Sequence, residues 1–554
     1  MFAYYASYPP HVRWDYAPLN RALGSLLDAA VGRYPTRIAI DFLGRKLLYQ
    51  QVHDEVRSLS STLQKLGIRK GDRVALCLPN CPAAVVAFFA VVKIGGVVVN
   101  TNPLYTEAEL GNILEDSGAK VVITTNLSVS FGKLVGHVGQ RALQHMVVVD
   151  FARQLPWHMG LFFRIFKYNQ LAKVPSQPSI TWYHHVGCSQ KKPLSVALNP
   201  TTDLAVIQYT GGTTGTPKGA MLSHAALVNN VEQIRLWLGD TPPEGDRVLA
   251  VLPLFHCFAM TVCMNLTFAN GGQIHLLPQF NLQQVLRVMH KQRITLLPGV
   301  PTLFNAIVNA PKLKAAWFAS LRYGISGGAP LPPEVKESFE ALTKSRLMEG
   351  YGLTEASPVV CCNPRHKPSK TGSAGLALPN TRVSIRNPDN LKAKPLPEGE
   401  AGEVWVQGPQ LMKGYWNNPQ ATSDCMVKGW LRTGDVGFID TEGYLHLTDR
   451  MKDIILVNGY NVYPRVIEDC LYNHPDVAEA MVIGLPDPKR GEAPHAYVVL
   501  KDGANVTADV LLSFARQHLN PMERPVAVVL RQQLPKTQVG KLSKKDLRAE
   551  VIGK

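Results

Sequence analysis

The chain lacks the features that mark several specialised classes. Its nine cysteines, Cys77, Cys81, Cys188, Cys257, Cys263, Cys361, Cys362, Cys425 and Cys470, are scattered, odd in number and form no CxxC pair. That argues against a disulfide framework or a zinc site and favours a reducing, cytoplasmic setting. No apolar run reaches the roughly 20 residues that a membrane helix needs. The nearest, Ala83–Ile94 with the following VVVN, is interrupted by Lys93, Gly95 and Gly96. The opening MFAYYASYPPHVRWDY has no basic segment followed by an apolar one, so no signal peptide is expected. Zinc-finger spacing, basic-zipper heptads and RNP-like aromatic motifs are missing, so nucleic acid is not an expected partner. Acidic residues are in deficit, 42 against 58 basic ones, a net charge of +16. Such a surface favours anionic partners: nucleotides, CoA or an anionic lipid face.

The deficit is sharpest in residues 151–202, which contain no Asp or Glu but carry Arg153, Arg164, Lys167, Lys173, Lys191 and Lys192. Within them, LPWHMGLFFRIFKYNQLAK (155–173) sets Trp157, Phe162, Phe163 and Phe166 beside basic residues. A basic, aromatic, helix-prone segment suits peripheral contact with the inner, anionic face of a membrane. The plainer alternative is a surface helix with solvated charges.

What is present reads as a soluble α/β protein of more than one domain. At 554 residues the chain exceeds a single core, and 46% hydrophobic with 18% charged residues is ordinary globular composition. Val52, Val56, Leu59, Leu63 and Leu66 fall at helical spacing before Gly67. RVALCL (73–78), GVVVN (96–100) and KVVITT (120–125) read as buried strands separated by helices at 83–94 and 107–116. Alternating strands and helices predict parallel α/β units.

The most informative stretch is YTGGTTGTPKGAMLSH (209–224). Gly211, Gly212, Gly215 and Gly219 let backbone N–H groups approach an anion closely. Thr210, Thr213, Thr214 and Thr216 add hydroxyl donors, and Lys218 adds a mobile cation. Flanked by a strand-like DLAVIQ and a helix over 225–238, this composition predicts a nucleotide-phosphate cradle. An ordinary Gly/Thr loop is the alternative. A Walker-type loop is not, because Pro217 precedes the lysine and Gly219 follows it.

Further candidates follow in order. His256 sits after the strand-like RVLAVLP (247–253), where α/β sheets place ligands. YGISGGAPL (323–331) turns on Gly327 and Gly328, which remove bulk where something approaches the backbone. SRLMEGYGLTEAS (345–357) offers Tyr351 as a flat face for a purine. In it, Thr354 can bond phosphate and Glu355 can hold Mg²⁺. Asp435, in the Thr433-Gly434-Asp435 turn, can accept two hydroxyls through its two oxygens. Beyond Arg450 the pattern suffices for a small α+β unit ending in LPKTQVGKLSKKDLR (534–548). Each residue taken alone has a structural reading: a helix-capping Thr, an Asx-turn Asp, a solvated Lys.

Together and in this order, YTGGTTGTPKG, PLFH, SGGAPL, GYGLTE, WLRTGD…DR and PKTQVGK resemble the acyl-adenylate-forming superfamily, and fatty-acyl-CoA ligases in particular. The resemblance implies a large multi-sheet N-terminal α/β domain (1–449) that binds nucleotide and acyl group. A smaller mobile α+β C-terminal domain (450–554) would carry the catalytic Lys541 and hinge at Lys452. It implies ATP-dependent activation of a fatty acid as acyl-AMP, aided by Mg²⁺, followed by transfer to CoA. It places the Thr210–Lys218 loop on the β- and γ-phosphates, Asp435 and Arg450 at ribose, and His256 beside the substrate carboxylate. Lys541 bridges the carboxylate and α-phosphate, and Asn458-Gly459 lines the pantetheine channel. Val300, Pro301, Gly327, Gly328 and Gly350 become candidate acyl-tunnel walls, with Met260 nearest the position of a gating Trp found in some long-chain relatives. An Arg common near the final lysine in relatives is replaced by Thr537 or Gln538. The wording favours a long-chain acid. Another carboxylic acid, a carrier-protein thiol acceptor or an inactive acyl-binding protein are the alternatives, and a homodimer is left open.

Overall fold

The computed structural model describes residues 7–186, 193–210, 217–388, 390, 394–458, 460–537 and 540–553. Two large sheets dominate the first 380 residues. One has seven strands, in the order Ile180–Trp182, His145–Val149, Val121–Thr125, Arg73–Cys77, Val97–Asn100, Leu204–Thr210 and Lys218–Ser223. Its neighbours are parallel except for the last pair. The other has nine strands. Its parallel centre runs Arg346–Gly352, Tyr323–Gly327, Leu296–Gly299, Arg247–Ala250, Gln273–Leu276 and Ile38–Phe42, with antiparallel strands at both edges. Parallel strands covered on both faces need apolar runs without alternation, and VALC and VVIT supply them.

One continuous core joins the two sheets. At its centre lies the helix Pro82–Lys93, in which every residue from Pro82 to Val92 is buried. Its all-round apolar character reflects burial between protein layers rather than in lipid. Among the described residues, no helix is long and apolar enough to cross a membrane.

Two smaller sheets follow. The first is antiparallel, built on Arg382–Arg386, Gly402–Gln407, Trp430–Ile439, Met426–Val427 and Leu445–Arg450. The second holds Tyr460–Val462, Ile455–Val457, Gly491–Leu500, Val477–Asp487 and Ala527–Leu530, backed by helices Pro464–Tyr472 and Ala508–His518 around a core of its own. The fold is therefore α/β, with a large multi-sheet N-terminal part and a smaller C-terminal one.

Three local expectations are corrected. The 209–224 stretch is not loop throughout, although the helix expected after it is present. Lys218–Ser223 forms a strand antiparallel to Leu204–Thr210, with Thr210 paired to Lys218, and the helix His224–Leu238 starts only after it. The Thr433-Gly434-Asp435 turn lies inside the long strand Trp430–Ile439 as a bulge. Glu403 pairs with Val436 and Trp405 with Arg432, so extra residues are accommodated there, and Gly434 takes φ +70°. The 155–173 segment is not one continuous helix: it is α-helical over Trp157–Phe166, with a separate 3-10 turn at Tyr168–Gln170.

Candidate active site

The carboxyl ends of parallel strands converge on one cleft of about 1630 Å³. Thr210 ends one strand, His256 follows Arg247–Ala250, Gly327 ends Tyr323–Gly327 with Gly328 next, and Tyr351 lies near the end of Arg346–Gly352. The crevice beyond such ends is where open α/β sheets take ligands. Thr210, Lys218, His256, Gly328, Tyr351, Thr354, Glu355, Asp435, Arg450 and Lys541 all line it. Gly211, Gly212, Thr213, Thr214, Gly215, Thr216 and Gly459 lie outside the described residues. Asn458 is on the hairpin between Ile455–Val457 and Tyr460–Val462, with its N–H donating to Arg490 O at 2.8 Å, and it does not line the cleft.

Asp435 is held from two sides. The Tyr351 hydroxyl donates to its Oδ2 at 2.6 Å, and Arg450 Nε lies 3.2 Å from its Oδ1. Asp435 and Arg450 face each other across adjacent antiparallel strands, so strand register sets this pair. The Asp435 carboxylate raises the Arg450 pKa above its ordinary value. Each carboxylate oxygen keeps acceptor capacity for a further hydroxyl.

Glu355 lies in the one-turn helix Thr354–Ala356, and its Oε1 accepts the Tyr415 hydroxyl at 2.7 Å. Lys218 Nζ stands 5.3 Å from the centre of the same Tyr415 ring. Tyr415 thus couples the cationic strand to the carboxylate. Nothing in the sequence points to it, because it is 60 residues from Glu355 in a turn-rich region. Among the described residues no cluster of three or more His, Cys, Asp or Glu has the makings of a metal site. A single carboxylate fits Mg²⁺, which retains waters and takes its remaining ligands from phosphates.

Lys541 enters this cleft from the C-terminal part of the chain. A Cβ on Gly328 would stand 2.5 Å from its Cε and 2.8 Å from its Nζ, and Gly328 has φ +84°. The positive φ calls for glycine at 328, and the missing Cβ leaves room for the lysine head where it now lies. Burial, with Arg450 adding repulsion, lowers the Lys541 pKa to about 8. His256 is pushed down to about 3, by burial first and then by the Lys541 ammonium. It is a neutral imidazole at neutral pH. Its Nδ1 accepts the Phe258 N–H at 3.3 Å, so the ring proton belongs on Nε2, as a donor. Glu349, directly before Gly350, is another cleft residue that the motif reading passed over, and burial pushes its carboxyl up to about 7.

The apolar part of the cleft lining, its apolar arm, comprises Ile234, Trp237, Leu238, Phe258, Val262 and Leu378. Of the candidate tunnel-wall residues, Pro301, Gly327, Gly328 and Gly350 line the cleft and Val300 does not. Met260 is also off the cleft wall: it is fully buried, with its sulfur 3.6 Å from Asn100 Nδ2. It belongs to the π-helical stretch Ala259–Asn265, from which Val262 lines the cleft, as does Phe258 just before it.

A family model described as AMP-binding enzyme matches residues 27–416, and one described as AMP-binding enzyme C-terminal domain matches 466–541. The chain is 38% identical over 550 residues to a long-chain-fatty-acid–CoA ligase of Bacillus subtilis (strain 168), covering 98% of this chain and 97% of that one. It is 38% identical over 559 residues to the enzyme of the same name from Salmonella typhimurium, covering 99% and 98%. Among solved structures, ATP-bound MatB from Rhodopseudomonas palustris superposes with a TM-score of 0.81 at 29% identity, covering 97% of this chain and all of that one.

Proposed function

Because the chain belongs to the AMP-binding enzyme family, we propose that it is an ATP-dependent fatty-acid–CoA ligase whose cleft catalyses both half-reactions. In the first, a carboxylate oxygen attacks the α-phosphorus of ATP, the P–O bond to the β-phosphate breaks, and pyrophosphate leaves. In the second, the CoA thiol loses its proton and attacks the acyl carbon, and AMP departs. The observation that carries this reading is the meeting of Lys218, Glu355, Asp435 and Lys541 in one cleft.

The first step drives an anion against a polyanion, so catalysis is mainly charge compensation and positioning. The hairpin around Thr210 and Lys218 holds the β- and γ-phosphates. Tyr351 packs on adenine while its hydroxyl steadies Asp435, which with Arg450 holds ribose. Glu355, fixed by Tyr415, would hold Mg²⁺, which would supply positive charge against the phosphates; Thr354 bonds phosphate. His256 donates from Nε2 to the substrate carboxylate. Lys541 spans that carboxylate and the α-phosphate. The chain divides near residue 450: residues 1–449 bind nucleotide and acyl group, and 450–554 swing about Lys452 after adenylation, bringing Asn458 and Gly459 to the thiol. Lys452 lines the charged cleft, where burial, with Arg450 adding to it, lowers its pKa to about 8.

The apolar arm favours a long acyl chain. Each buried CH₂ contributes about 0.8 kcal/mol, or roughly fourfold. CoA-dependent AMP release, screened over straight-chain acids of graded length, is expected to show kcat/KM climbing about that much per carbon until the arm is full. A maximum at short or aromatic acids contradicts the long-chain assignment. AMP release with a carrier-protein thiol but none with CoA contradicts the acceptor.

The adenylating form needs a charged Lys541. Its pKa of about 8 means that the ammonium is present below that pH and lost above it. The kcat/KM for ATP in pyrophosphate release, which reports the free enzyme, is expected to fall above about pH 8. Lys541→Arg is expected to be slower but flat there. The same alkaline fall in Lys541→Arg rules this lysine out as its source.

Residues 155–173 are assigned to peripheral contact with an anionic membrane. The helix Trp157–Phe166 buries only Gly160, which rests against the Ala152 carbonyl. Trp157 is 82% exposed, Phe162 57% and Phe166 64%. Asp150 is neutralised by Arg153 and Arg164, which leaves the neighbourhood cationic. Apolar side chains within a basic rim fit a lipid surface. Wild type is expected to co-sediment with phosphatidylglycerol vesicles at least tenfold better than with phosphatidylcholine ones. A Trp157→Ser, Phe162→Ser, Phe166→Ser triple variant should lose this binding while keeping activity on a soluble acid. Equal sedimentation by variant and wild type, or a dimer that the substitutions dissolve, overturns the assignment.

A further inference from the structure

The geometry points to Thr302 as the positioning residue that seats Lys541 for the first half-reaction, an inference that rests on the ligase reading above. Lys541 closes a tight turn. Thr537 N–H donates to Lys541 O at 2.7 Å, Gly540 N–H to Thr537 O at 2.8 Å, and Lys541 N–H to Thr537 Oγ1 at 3.2 Å. In so short a turn, fixing one peptide group fixes the lysine backbone. The Gly540 carbonyl is the group that is held: Thr302 Oγ1 donates to it at 3.1 Å.

Thr302 is carried by a rigid element. It is the second residue of the helix Pro301–Val308, which starts just after the strand Leu296–Gly299 in the parallel centre of the nine-stranded sheet. Contact there is close. A Cβ on Gly540 would stand 3.3 Å from Thr302 Oγ1 and 3.5 Å from Val300 Cγ2, and Gly540 has φ +83°. This gives Val300, which is absent from the cleft wall, a place under the lysine turn. Another link between these two parts, Lys501 to Glu334, is 3.9 Å long, with side chains 45% and 51% exposed. A solvent-screened pair of that kind fixes little.

Thr302 and Gly328 thus act on the same side chain from opposite ends. The hydroxyl sets the backbone, and the missing Cβ leaves room for the ammonium. When the C-terminal part withdraws for the thiol step, the Thr302 bond breaks. Its loss therefore slows only adenylation.

The test separates the half-reactions. Thr302→Val keeps the side-chain volume and removes the donor. Acid-dependent pyrophosphate release without CoA is expected to fall roughly five- to tenfold, the effect of one hydrogen bond. KM for ATP and for the acid should stay within about twofold. CoA-thioester formation from synthetic acyl-AMP should be unchanged, and Thr302→Ser should restore most of the lost rate. Thr302→Ala is the second variant should the valine protein fail to fold, with the same split expected. Equal loss in both half-reactions, a rise in KM alone, or no change overturns the inference. A wild-type enzyme that releases no pyrophosphate with any acid overturns the ligase reading itself, a separate outcome.

Discussion

A desolvated ammonium held near a second cation, Arg450, is the constraint on which the rest of the site depends. Lys541 is kept charged at neutral pH although burial and Arg450 both oppose its charge. Such a group is costly until an anion arrives. A triphosphate and a carboxylate supply that anion, so the surrounding protein is complementary to the loaded reaction rather than to the empty cleft. The neutral His256 fits this balance, since a further cation beside Lys541 and Arg450 would raise the cost.

The fold places these groups by two devices. Parallel strands deliver Thr210, His256, Gly328 and Tyr351 at their carboxyl ends, where backbone groups and helix starts already favour anions. The antiparallel sheet then brings Asp435 and Arg450 opposite each other through strand register, and Tyr351 joins the two systems through its hydroxyl. Lys541 arrives from outside these layers. Its reach is set by a short turn against the start of one helix and by a glycine that leaves the space.

The sequence was legible wherever one residue type has a local cause. VALC and VVIT read as buried strands because parallel sheets need unbroken apolar runs, and Gly328 marked itself as a close approach. Lys218–Ser223 was not legible as a strand, because KGAMLS sits between a glycine loop and a helix and pairs only in three dimensions. The Asp435 turn became a bulge for a related reason: Thr-Gly-Asp suits either, and the facing strand decides. Tyr415 gave no signal, since its partner Glu355 is distant in sequence. Met260 was expected near the acyl path from its offset after His256, but it lies in a π-helical stretch and is fully buried off the cleft wall. Offsets along a chain assume a regular helix, and here the helix is not regular.

The central claim is that Lys541 acts in one half-reaction and is absent from the other. Lys541→Ala, measured separately in both, tests it most directly. The account predicts that acid-dependent pyrophosphate release falls by at least about 10²-fold, while thioester formation from synthetic acyl-AMP and CoA stays within about twofold of wild type. Equal loss in the two half-reactions, or adenylation that survives without this lysine, contradicts it.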